Sequence, residues 1–164
     1  MTRKFAIAFC ALVLISVSAV AQPAQPTMNA SVSNSLSTSA VQDKKSLYTR
    51  LGGYDAIALV VDDFITRLAT DKRFEKFFTG FSDDSKKRLR QHILDQFCAA
   101  AGGPCIYTGR EMRTSHKGLG ITEADWDAAA KHLVEALDKY KVPEAEKNEL
   151  LAFVVSQKKD IVEK

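Results

Sequence analysis

Outside its first residues, the chain lacks a charge excess of either sign. The formal net charge is +3, and Arg3, Lys4, Asp43, Lys44 and Lys45 account for all of it. The balanced remainder excludes the basic footprint by which a domain binds nucleic acid. No stretch alternates apolar and polar residues as a half-buried strand does, so the expected fold class is all-α. HExxH, GxGxxG, GxxxxGK[ST] and GxSxG are all missing. The zinc-protease, dinucleotide, P-loop and serine-hydrolase chemistries tied to those motifs go with them. Three cysteines and three histidines are too dispersed for a structural zinc site, which takes about four such ligands.

Apolar runs are scarce as well. One uncharged run, Phe5 to Val20, follows Arg3 and Lys4 and ends in Ala19-Val20-Ala21 before Gln22. It is a little short of the roughly 20 residues a membrane helix needs. A charged start, an apolar centre and a small-x-small end make residues 1–21 a secretory signal peptide, with a retained anchor as the alternative. Cys10 sits too early in the run for lipid attachment. Residues 22–45, rich in Ser, Ala, Gln and Thr and without an aromatic side chain, read as a disordered linker. Residues 46–164 are then the folded domain, near the common size of one domain. The expectation is export to a bacterial periplasm, with no membrane attachment after cleavage. There Cys98 and Cys105, seven positions apart, either bridge or stay as two buried thiols. Spacing leaves both open, because Cα geometry decides.

Residues 46–51 make a short helical turn, ended by Gly52-Gly53. Residues 54–70 carry apolar side chains at 57, 60, 61, 64, 65 and 68, a helical stripe that Asp71-Lys72 breaks. Four phenylalanines crowd 73–81, as the wall of an apolar site or a corner of the core. Ser82 caps the next helix, with Asp83 and Asp84 at its positive end. Its apolar face is read as Leu89, Ile93, Gln96/Phe97 and Ala100, and His92 falls about 60° to the side of Leu89. Thr122 and Asp125 make a capping box before a helix carrying Trp126, Ala129/Ala130, Leu133/Val134, Leu137 and Tyr140 along one side. His132 falls off that stripe and is read as a surface residue. Pro143 opens one last helix, apolar at 150, 151, 154, 155 and 161/162.

Glycine is sparse but concentrated. Five of eight lie between Gly102 and Gly120, with Pro104 among them, so no long helix crosses that stretch. An ordered loop of this length inside a compact domain usually serves a function. At its centre Met112 and His116 stand four apart, on one side of a single helical turn. Such a turn offers one imidazole nitrogen to a metal or cofactor; a surface histidine in a loop is the plain alternative. His92 is a second imidazole on a helix flank, or else a snorkelling side chain. A planar apolar cofactor with a metal centre uses the phenylalanine corner and the loop histidine together. Haem iron held by a proximal histidine answers that description. With no CxxCH, a covalent c-type haem is not supported. Cys98 or Cys105 activated by His116 is the competing catalytic reading.

Four segments carry a resemblance: SLYTRLGGYDAIALVVDDF (46–64), FEKFF (74–78), AAAGGPCIYTG (99–109) and REMRTSHKGLGI (110–121). Through them residues 46–164 resemble the truncated haemoglobins, specifically the group 1 (N-type) branch. The resemblance implies a globin-like two-over-two helical sandwich around haem b, in which the glycine-rich loop largely replaces the proximal helix. It implies His116 as the proximal iron ligand, Phe78 on the haem face with Phe64 beneath it, and Met112 on the proximal side. Leu89 and Ile93 are then the distal-helix positions facing a bound gas. Tyr107 lies by the haem edge, within reach of a propionate.

Two departures from the family pattern matter. Ile65 stands where the family usually places a tyrosine whose hydroxyl bonds bound oxygen, and Ile93 replaces a frequent glutamine. A distal pocket of Ile65, Leu89 and Ile93 offers bound oxygen no donor. His92 occupies a position where some cyanobacterial relatives place a second iron ligand. The resemblance therefore implies a haem protein binding O2, NO or CO, a ligand binder rather than an enzyme. The alternatives are a six-coordinate His116/His92 electron-transfer or redox-sensing protein, and an NO dioxygenase-type enzyme. Any of these outside the cytosol implies a redox partner.

Overall fold

Capping side chains set where the long helices begin. The computed structural model describes residues 45–164; the expected signal peptide, and the linker up to residue 44, lie outside the described residues. The elements are α1 (Leu47–Arg50), α2 (Gly53–Thr70), α3 (Glu75–Phe78), α4 (Asp83–Ala100), α5 (Met112–His116), α6 (Glu123–Lys139), α7 (Glu144–Ser156) and α8 (Lys158–Ile161). No strand occurs among the described residues. At the head of α4, Ser82 Oγ accepts the Ser85 N–H at 3.2 Å, satisfying a donor that has no partner inside the helix. At the head of α6 the capping box forms. Thr122 Oγ1 accepts the Asp125 N–H at 3.2 Å, and the Asp125 carboxylate accepts the Thr122 N–H at 3.1 Å and its hydroxyl at 2.8 Å. Asp125 is buried. The Thr122 N–H and then its hydroxyl hold the Asp125 carboxyl below its ordinary range.

Helix α2 packs on both α4 and α6, and α4 meets α7, so the α2–α4 pair lies over the α6–α7 pair. The core they enclose draws on all four: Ile57, Val60 and Val61; Leu94 and Phe97; Leu133, Ala136 and Leu137; and Leu150. Each fully covered valine, leucine, isoleucine or phenylalanine among them contributes roughly 1.5–3 kcal/mol. Ion pairs lace the edges. Arg67 reaches Asp63 at 2.6 Å and Glu135 at 2.5 Å, joining α2 to α6, and Arg50 reaches Glu146 at 2.7 Å, joining α1 to α7.

Three sequence expectations change. The core face of α4 is Leu94, Phe97, Cys98 and, just past its end, Ala101, whereas Leu89, Ile93 and Gln96 are half-buried and Ala100 is exposed. The helix carries two neighbouring apolar faces, and only one is covered by the core, Ile93 of the other resting at its edge. His132 is not a surface residue: its Nε2 meets Asp71 Oδ2 at 2.9 Å, and its ring stands edge-on to the buried Phe74 at 6.0 Å. That contact fastens the phenylalanine corner to α6. The last helix is two, breaking at Gln157, with Val155 exposed and Pro143 in the cap position before the first turn.

Candidate functional site

Helix α5 is five residues long with no buried side chain, far below the length at which a helix holds itself together. One turn suffices for its chemistry. His116 Nδ1 lies 2.8 Å from the carbonyl oxygen of Met112, one turn earlier. A carbonyl only accepts, so Nδ1 carries the proton and Nε2 of the neutral ring keeps its lone pair. That is the form in which imidazole binds a metal, its other nitrogen fixed by a hydrogen bond.

A second imidazole stands on α4. His92 is half-buried, and its Nδ1 is buried with no hydrogen-bond partner, an arrangement that costs about 1–3 kcal/mol. Its ring meets the Tyr107 ring edge-on, centroids 6.0 Å apart. Tyr107 is pinned in turn: its hydroxyl donates to the Arg110 carbonyl at 2.6 Å, and burial pushes its phenol up. The phenol lies so close over Gly109 that a Cβ there would sit 2.3 Å from its oxygen. Any larger residue there has to push the Tyr107 ring aside. Behind Tyr107 the loop is tied to α4 by a Cys98–Cys105 disulfide with Cα atoms 5.8 Å apart, which resolves the choice the spacing left open.

Between these elements runs a cleft of about 330 Å³ whose walls include Gln96 of α4, Tyr107 of the loop, Met112 of α5, and Gln157 and Asp160 around α8. Phe64 and Ile65 in the C-terminal half of α2 and Ile93 on α4 rest against the core without being covered by it. Leu89 stands one turn before Ile93 on the same side of α4, also half-buried. Phe78 pairs edge-on with Phe81 at 6.0 Å rather than joining the core cluster. The structure thus couples His116 to Met112 and His92 to Tyr107, and it brings Tyr107 and Met112 to one cleft. The Tyr107 hydroxyl is already committed to its own loop. Gln96, Gln157 and Asp160 as cleft walls were missed by sequence reasoning; the spacing of Gln96 from Ile93 signals the first, and nothing local signals the other two.

These residues fit haem. A lone pair on His116 Nε2 can take iron. Large apolar side chains left half-covered, among them Phe64, Ile65, Ile93 and Met112, suit a flat apolar group. The orphaned nitrogen of His92 lies on α4.

Comparison with known proteins agrees. The family model for bacterial-like globins matches residues 46–163. Group 1 truncated haemoglobin GlbN of Mycolicibacterium paratuberculosis is 38% identical over 109 residues, covering 66% of this chain and 78% of that protein. The ferric truncated haemoglobin of Tetrahymena pyriformis superposes with a TM-score of 0.66 at 28% identity, over 73% of this chain and all of that one. The 2/2 haemoglobin of Synechococcus, in its cyanomet state with covalently attached haem, gives 0.65 at 31% identity, over 72% and 98%. Fold, loop histidine and relatives converge: the chain belongs to the group 1 truncated haemoglobins, haem-binding globins whose cofactor is haem b.

Proposed function

We propose that the chain holds haem b through His116 Nε2 and presents the far side of the iron to a diatomic gas, O2, NO or CO. The observation that carries this reading is the 2.8 Å contact between His116 Nδ1 and the Met112 carbonyl, which aims the free lone pair and sharpens its basicity. When bound, haem supplies an iron whose open position takes such a ligand. The chain's own residues do the rest. Met112 fixes the ring of His116. Ile65, Leu89 and Ile93 exclude water without offering a hydrogen-bond donor, so they restrict access rather than strengthen the ligand's hold.

A second reading rests on His92. Its buried, unpartnered Nδ1 and its place beside Tyr107 favour a ring that turns to become the sixth ligand, giving a redox or sensing protein. Visible spectra of the haem-loaded chain, ferric and then dithionite-reduced, separate the two. Low-spin bands abolished by His92→Leu support the second reading, and high-spin bands untouched by it support the first. Failure of the chain to take up haem refutes both, and unchanged spectra in His116→Ala refute His116 as ligand. We place the chain outside the cytoplasm on its N-terminal run and on its disulfide, since such bonds persist in oxidising compartments. Recovery of the protein wholly in the cytosolic fraction contradicts that placement.

A further inference from the structure

Nothing in the core grips α5, yet the orientation of His116 depends on it. The grip comes from the residues after α7. Arg113 donates to Asp160 Oδ1 through Nε at 3.0 Å and Nη2 at 2.6 Å. The Glu163 carboxylate spans the turn that leaves α5, its two oxygens accepting the Gly118 N–H at 2.5 Å and the Gly120 N–H at 2.7 Å. Both glycines have positive φ, +83° and +65°, the backbone shape that turns both amides toward one carboxylate and that L side chains resist. Glu163 is itself held by backbone bonds. Its N–H donates to the Ile121 carbonyl at 2.9 Å, and the Lys164 carbonyl accepts the Glu123 N–H at 3.0 Å.

We propose that Glu163 is a positioning residue for the proximal histidine: it fixes the exit turn of α5 and thereby the angle at which His116 meets the iron. This rests on His116 being the proximal ligand. Of the two grips, Glu163 is the stronger. An exposed arginine–carboxylate pair such as Arg113–Asp160 contributes little on its own. A carboxylate on two backbone amides makes charge-assisted bonds and acts directly on the residues that follow the ligand. Glutamine at 163 keeps the shape but offers one acceptor and sets an NH2 against the second amide, so the turn loses half its anchorage.

The test compares the full chain with Glu163→Gln and Glu163→Asp, each loaded with haem b. Transfer of haem to excess apomyoglobin is followed alongside the urea midpoint and amide exchange at Gly118 and Gly120. Release from Glu163→Gln is expected to be about tenfold or more faster, as for other partners of metal ligands, with exchange at both glycines accelerated and the urea midpoint nearly unmoved. Glu163→Asp, retaining the charge, recovers part of the loss. Wild-type release rates and spectra in Glu163→Gln overturn the proposal while leaving His116 as ligand intact. Faster release accompanied by an equal fall in the urea midpoint also overturns it, since that is plain destabilisation. If the wild-type chain takes up no haem, the functional reading itself fails; unchanged glycine exchange would then remove the clamp as well.

Discussion

Reducing the Cys98–Cys105 bond is a perturbation whose size follows from the chain's connectivity. The bridge joins residues seven apart, and closing so short a loop removes about 2.4 kcal/mol of unfolded-state entropy at 25 °C. Little on the folded side offsets this. Cys98 is fully buried at the end of α4, where a thiol occupies nearly the same space as the bridged sulfur. The Gly103 N–H still donates to the Cys98 carbonyl at 2.9 Å. For a domain of this length the loss corresponds to a fall in Tm of about 10 °C. The assay is paired urea and thermal unfolding of oxidised and reduced chain by circular dichroism. Amide exchange across residues 102–109 identifies where the reduced form loosens. A midpoint change worth less than about 0.5 kcal/mol refutes the reasoning, because it means the unfolded chain already keeps residues 98 and 105 together. Loosening centred on α6 instead of the loop refutes the assignment of the bridge as a local tie.

Replacing the half-buried Ile65 of α2 with Tyr installs a donor there; oxygen release from the ferrous haem-loaded chain, measured by stopped flow, is expected to slow about tenfold or more, the worth of a bond to a partly charged acceptor. Thr122→Ala removes the N-cap hydroxyl and leaves the buried Asp125 short of a partner, so the urea midpoint should fall by about 1–3 kcal/mol. On acidification, stability should hold down to about pH 5 and then decline. Asp63 is kept low by Arg67 and then Lys139, Asp125 by Thr122, and Glu146 by Arg50. A carboxyl depressed in the folded chain stabilises it above the unfolded value, here 3.8 or 4.5, and that contribution disappears as pH falls through the folded value. A midpoint that declines between pH 7 and 6 assigns the transition to other groups.

Much of this was legible where a local rule had a single solution. The Thr122–Asp125 box, the Ser82 cap and the one-turn helix carrying Met112 and His116 each depend on residues within four positions, and each appears as read. The face of α4 was not legible, because a stripe reading assumes one apolar side. Ile93 and Leu94 are adjacent and both apolar, and only the packing of α4 on α2 and α7 decides that Leu94 enters the core. His132 was misread for a related reason: Asp71, its partner, lies 61 residues away. The Glu163 clamp left a trace in Gly118 and Gly120, but nothing in that pair names which carboxylate they receive.

A five-residue helix with no buried side chain also means that, with His116 as the iron ligand we propose, cofactor retention and fold stability are separable properties here. Variants that damage the α2, α4, α6 and α7 core will be caught by any screen for folded yield. Variants that loosen α5 or its tail contacts will pass such a screen with normal melting curves, and will be detected only by the colour they fail to keep.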